Sequence, residues 1–303
     1  HITIVREISI MKKKFIAVLL TLTMAVSMAA CGSAPTGNPT ADQDKTSSND
    51  KTDDKNKEDD TKKPDDSEGS DMAYVKDKGT LVIGITDFEP MDYKDANGEW
   101  IGFDADMAKA FAKSLGVTAE FIEIDWDNKV MELEGKTIDC VWNGMTLTDE
   151  VLAAMECSKP YCNNAQVVIV PSAKADQYKD VDSLKDLSFA VEAGSAGEKE
   201  VSALGLNFTP VKQQSDALME VASGTSDAAV IDSLMAAAMV GEGTGYANLT
   251  YTVGLNSEEY GVGFRKGSDL AAALNDFFAA SYGDGSMVQC AETYGVQAAL
   301  IEQ

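Results

Sequence analysis

Residues 102–116 read GFDADMAKAFAKSLG, set between LVIGI at 81–85 and AEFIEI at 119–124. Met107, Ala108, Phe111, Ala112 and Leu115 recur on one face of the middle stretch, the spacing of an amphipathic helix. Asp104 stands at the expected N-cap and Gly116 supplies the stop. The short apolar run before it suits a buried strand, and the stretch after it suits a second. A strand, a helix and a strand in this order make a βαβ unit, whose right-handed crossover sets its strands parallel.

Outward from this unit the rhythm continues. A short helix falls around Val130–Leu133, and DCVWNG at 139–144 reads as a third strand. The same alternation returns in QVVIV (166–170), SFAVEAG (188–194), a helix from Gly197, NFTPV (207–211), a helix around 214–223 and AAVID (228–232). The last part holds YGVGF (260–264) and two helices, near 268–281 and 286–294. Two similar α/β halves predict two lobes, each a mostly parallel sheet flanked by helices. Open sheets of this kind bind ligands beyond the carboxyl ends of their strands, so facing lobes would share one cleft.

The beginning of the chain reads differently. Met11 opens MKKKFIAVLLTLTMAVSMAAC, with three lysines, an apolar run from Phe15 to Met28, two alanines and Cys31. This is the layout of a secretory signal peptide. Residues 1–30 are therefore expected to be upstream sequence and a removed leader. SMAAC resembles a lipobox with Cys31 as the lipidated residue, and acyl chains there would anchor the protein to a membrane. Residues 34–71 hold 12 acidic and 6 basic residues and almost nothing apolar. Such a segment cannot offset its ordering entropy by burial, so 31–71 is expected to be a lipidated, disordered tether.

The body, 72–303, keeps 15 basic and 37 acidic residues. That balance argues against nucleic acid as a partner, because phosphate binding needs clustered lysine and arginine. Cys140, Cys157, Cys162 and Cys290 follow Cys31. Free thiols are expected, with a Cys157–Cys162 bridge as the alternative in an exported protein. No metal site or cofactor is expected, since the single histidine is His1.

Six segments in order carry a family resemblance: residues 84–116, GKTIDCVWNGMTLTDE (135–150), SKPYCNNAQVVIV (158–170), AVEAGSAGE (190–198), SGTSDAAVIDS (223–233) and YGVGFRKGSDL (260–270). Together they resemble the extracellular solute-binding proteins of polar amino-acid ABC transporters, over essentially all of 72–303. The resemblance implies a periplasmic-binding-protein-like α/β fold with two lobes and two hinge strands. Residues 72–164 with 258–303 would form lobe 1, and 165–257 lobe 2. It also implies site residues. Phe88 matches the aromatic that packs on the solute, Asn143 and Gly144 offer polar groups, and Thr146 matches a hydroxyl for the ligand carboxylate. Ser195 and Ala196 match the second lobe's helix N-terminus, and Asp232 the acceptor of the ligand's ammonium. Glu89 and Trp142 are secondary candidates.

One position departs. Where the resembled proteins usually carry an arginine that grips the α-carboxylate, this chain has Val151. A valine cannot make the two-pronged, charge-assisted pair that arginine makes. Hydroxyls and a helix N-terminus could hold the acid group instead, or the solute lacks one. Asp87, Glu89 and Asp92 would suit a cationic solute.

The reading is a lipid-anchored receptor, monomeric and not an enzyme, on the outer face of the cytoplasmic membrane. It would deliver an amino acid or a related cationic metabolite to ABC permease subunits. A sensing module without transport is the alternative, separable by a neighbouring permease gene. A dehydratase-like enzyme on the same fold is a further one, with Glu89 or Glu192 as its general acid or base.

Overall fold

The computed structural model describes residues 69–303. The leader, Cys31 and nearly all of the tether lie outside the described residues. The ordered body starts earlier than composition suggests. Ser70 caps helix α1 (Asp71–Lys78) by accepting from the Ala73 amide, and Asp71 is buried with both carboxylate oxygens 3.0 Å from Arg265 Nε. A cation fixed by the fold thus draws this acid out of a stretch that reads as tether.

The first sheet grows from strand β1 (Thr80–Ile85), buried from its second residue onward. A small ribbon of β2 (Tyr93–Lys94) and β3 (Trp100–Ile101) leads into helix α2 (Phe103–Leu115). Strand β4 (Thr118–Glu123), helix α3 (Lys129–Glu134) and strand β5 (Cys140–Thr146) follow. β1 lies between β4 and β5, parallel to both. Helix α2 ends at Gly116 in the left-handed conformation, as expected for a glycine stop. Its start differs: Gly102 is the N-cap and offers no side chain. Asp104 turns inward instead, fully buried, and accepts from the Gly144 amide and the Tyr161 hydroxyl, each at 2.7 Å. Two buried donors attract a carboxylate more strongly than a solvated helix end does.

The second sheet repeats the plan. Helix α4 (Asp149–Ala154) closes the first half, and strand β9 (Ser188–Glu192), helix α5 (Ala196–Ala203), strand β10 (Asn207–Val211), helix α6 (Gln214–Ser223) and strand β11 (Ala228–Asp232) form the second unit. β9 is again central and parallel to β10 and β11. Both units therefore place their first strand in the middle.

Parallel pairing stops there. β6 (Glu156–Cys157) and β7 (Cys162–Asn164) pair antiparallel with β13 (Glu258–Phe264), which also runs antiparallel to β5. β8 (Gln166–Pro171) runs antiparallel to both β11 and β12 (Leu249–Gly254). The sheets are ordered β4-β1-β5-β13-β6 and β10-β9-β11-β8-β12. Strands arriving from the other half need no crossover helix, so they join the opposite way round and each sheet is mixed rather than mostly parallel. The chain passes from one sheet to the other at Ala165 and returns through 255–257. These two crossings are tied together: Leu255 N donates to Gln166 O at 2.8 Å, and Gln166 N to Asn256 Oδ1 at 2.7 Å.

Helices α7 (Ser233–Met239), α8 (Leu270–Gly283) and α9 (Ser286–Thr293) complete the body. Trp142 belongs to the core of the first lobe, 1% exposed, with Phe278 edge-on at 5.6 Å and Phe111 at 6.3 Å. All four described cysteines are free.

Candidate functional site

The carboxyl ends of β5, β9 and β11 meet at a cleft of about 340 Å³ between the two sheets. Phe88, Asn143, Gly144, Thr146, Ser195, Ala196 and Asp232 all line it. Glu89 does not, and Trp142 lies behind the wall because its ring is taken up by Phe111 and Phe278. Glu192 is likewise outside the lining.

The lobe 1 wall is pinned from beneath. Gly144 has φ +54°, and a Cβ there would stand 2.5 Å from the Phe88 ring, so only glycine lets this strand pass under the aromatic. The Asn143 side chain is spent inside the lobe: its Oδ1 accepts from Thr86 N and Oγ1, and its Nδ2 donates to Thr86 O and Asp92 Oδ2. What Asn143 presents to the cleft is therefore backbone. Thr148 is the N-cap of α4, accepting from Val151 N. That leaves Thr146 free of capping, and its hydroxyl donates to Glu258 Oε1 at 2.9 Å.

The lobe 2 wall carries a buried acid. Asp232 occupies the N-cap position of α7 without capping it. Its carboxylate faces neutral donors instead: Gln166 Nε2 at 2.8 Å, the Tyr260 hydroxyl at 2.9 Å, and the amides of Asn164 and Gln214. Asn164 and Gln166 also donate to Glu258 Oε1. Burial, reinforced by the negative Glu258, pushes the Asp232 carboxyl up to about 7 against the pull of Gln214 and Tyr260. Behind it, burial and the charge of Asp232 push Glu192 up to about 8, and Glu192 Oε1 has no hydrogen-bond partner among the described residues. No cation pairs with either acid among the described residues.

Ser195 is the N-cap of α5 and accepts from Glu198 N at 3.1 Å. The next two amides, of Ala196 and Gly197, have no acceptor within the helix, as for any first turn. The lobes touch at this edge. Lys129 Nζ of lobe 1 donates to Gly194 O of lobe 2 at 3.0 Å, and Lys199 pairs with Glu150 at 2.5 Å. Gly194, at φ +71°, admits the Asp127 backbone so closely that a Cβ would lie 2.6 Å from Asp127 Cα.

Sequence reasoning missed Gln166, Gln214, Lys129 and Trp126, all in the lining. The glutamines carry no charge signature, and Lys129 opens a helix whose polar residues read as solvated. Val151, 8% exposed, lines the cleft within the same apolar cluster as Trp126.

Two hinged α/β lobes around a small cleft are the arrangement of a solute-binding protein. A family model described as bacterial extracellular solute-binding proteins, family 3, matches residues 81–297, and the chain belongs to this family. Among its relatives, the L-cystine-binding protein TcyJ of Escherichia coli K12 is 28% identical over 224 residues, covering 73% of this chain and 84% of that one. The arginine-binding extracellular protein ArtP of Bacillus subtilis is 28% identical over 205 residues, covering 65% and 79%. Among solved structures, a mutant of ArgBP from T. maritima has 31% identity and a TM-score of 0.70, covering 74% of this chain and 98% of that one. An ancestral amino acid-binding protein, titled a precursor of cyclohexadienyl dehydratase, has 32% identity and a TM-score of 0.68, covering 74% and 99%.

Proposed function

We propose that this protein captures a zwitterionic amino acid in the cleft and hands it to the permease subunits of an ABC transporter. The observation that carries the reading is Asp232, a cleft-lining carboxylate surrounded by neutral donors with no cation of its own. A ligand ammonium would supply the missing positive charge, since a buried unpaired charge is costly. The first-turn amides of α5, with Ser195 and Ala196, suit the acid end of the same solute. Phe88 and Trp126 give its carbon skeleton apolar cover. The named ligands of the relatives, cystine and arginine, point to the same class.

In this reading residues 72–164 and 258–303 act as one lobe and 165–257 as the other, joined at the two crossings. Contacts to both lobes stabilise the shut form only when the solute is present. Export and anchoring through Cys31 would hold the receptor at the outer face of the membrane, where it works as a monomer. Glu192 and Glu89 lie outside the cleft lining, which favours binding over acid-base chemistry.

Titration calorimetry with the common L-amino acids and L-cystine tests the proposal. Saturable binding of at least one of them, lost with its deaminated analogue, sustains it. Binding of none, or equal binding without the amino group, overturns it.

A further inference from the structure

Lys129 is the first residue of α3 and is 8% exposed, yet it lines the cleft. Its ammonium donates to the carbonyls of Trp126 and Gly194, both at 3.0 Å, and stands 4.8 Å over the Trp126 ring. An ammonium has three hydrogens, so these carbonyls leave one unused. No carboxylate lies within 4.0 Å of it among the described residues. The carboxylates of Glu192, Asp127 and Glu198 act on it only from beyond that distance, so this buried cation beside a ligand cleft has room for a closer counter-charge. The other cation in the lining, Lys199, is half-exposed and already paired with Glu150 at 2.5 Å.

Two neighbours place that counter-charge. Gly194, which accepts from Lys129, directly precedes Ser195 and the first-turn amides of α5. Trp126, under the ammonium, shares an apolar cluster with Val151. The cation therefore sits where the wall that replaces an arginine meets the helix end that favours an anion. We infer that Lys129 recognises the acid group of the solute in place of the arginine that Val151 lacks. This rests on the amino-acid reading above.

The substitution has a chemical consequence. Arginine offers a planar fork matched to a carboxylate, whereas lysine is a point charge with rotatable donors. The cleft should accept a sulfonate or phosphonate analogue nearly as readily as the carboxylate. Because Lys129 reaches Gly194 across the cleft, it reads the anion only when the lobes are shut.

The test compares wild-type protein with K129M, K129Q and K129R by calorimetry. The probes are L-arginine, L-histidine, L-glutamine and L-cystine, each beside its α-amide. Wild type should favour the acid over the amide by at least tenfold; K129M and K129Q should lose that preference and K129R keep most of it. The double variant K129M/V151R should regain it. A preference that survives in K129M or K129Q overturns the inference. So does an equal loss of acid and amide, which marks Lys129 as a strut between lobes. Should both neutral variants fail to fold, isotope-labelled reductive methylation of wild type decides, with K129R giving the assignment. The Lys129 resonance should move with the acid and stay with the amide, and equal movement overturns the assignment. Binding of no probe by wild type sinks the amino-acid reading itself, and this inference with it.

Discussion

Asp104 in the first lobe and Asp232 in the second are both buried carboxylates pushed up to about 7, chiefly by burial. They differ in what they hold. Asp104 binds a backbone amide and a core tyrosine of its own lobe, Gly144 N and Tyr161. Asp232 binds side chains drawn from the crossings, from α6 and from Tyr260 of β13, and it lines the cleft. The same group at the same pKa is thus enclosed where it faces only its own lobe's core, and within a solute's reach where it also borders the cleft. Access to the cleft, rather than burial or charge, separates the two residues.

Two substitutions would break that contrast if it is wrong. Asp104→Ala leaves Gly144 N and the Tyr161 hydroxyl unpaired in the core, and should cost about 2–4 kcal/mol of stability. Urea denaturation reads this as a lower midpoint at unchanged slope. Asp232→Ala should cost less stability: Gln214 and Tyr260 each lose an acceptor, but Asn164 and Gln166 still donate to Glu258 and the repulsion from Glu258 is relieved. Its effect should fall on binding, with at least a tenfold loss for an ammonium-bearing ligand, or about 1.4 kcal/mol. If Asp232→Ala unfolds the protein while Asp104→Ala only weakens binding, the assignment of roles is inverted.

A pH series sharpens the comparison further. Asp232, Glu192, Asp104 and Asp92 are all raised above their ordinary values of 3.8 or 4.5. The folded state therefore holds more protons than the unfolded one between those values and about 8. Stability without ligand should fall as pH rises through that window. An ammonium ligand prefers ionised Asp232, so affinity should move the opposite way, dropping roughly fivefold to tenfold from pH 7.5 to pH 6. Melting curves and calorimetry at the same pH values check both signs. Parallel trends would mean that Asp232 does not meet the ligand's positive end.

Much of this molecule could be read from its residues alone. NFTPV and AAVID match β10 and β11 end to end, because turn and helix signals bound both and, in AAVID, a continuous apolar run leaves little freedom. Strand direction was less legible: β8 and β13 look like any buried run, and only the crossings at Ala165 and 255–257 decide that they enter antiparallel. β12 was not legible at all, since LTYTVG lies at a sheet edge with a broken burial pattern. In the site, the motif-bearing positions came together, whereas Gln166, Gln214 and Lys129 did not announce themselves. Their chemistry depends on neighbours distant in sequence, such as Gly194 for Lys129 and Asp232 for both glutamines.

The smallest expected effect lies at the cleft rim. Lys199 of lobe 2 and Glu150 of lobe 1 pair at 2.5 Å, but their side chains are 52% and 69% exposed. Solvent and salt screen such a pair strongly. Lys129, by contrast, bridges the lobes from a buried position to a backbone carbonyl. If burial is what makes a cross-lobe contact matter, Glu150→Gln should change ligand affinity by no more than about twofold at low salt and not at all at high salt. Calorimetry at two salt concentrations is sufficient. A large loss that persists in high salt would mean that the exposed rim holds the lobes shut, and that the buried contact is incidental to closure.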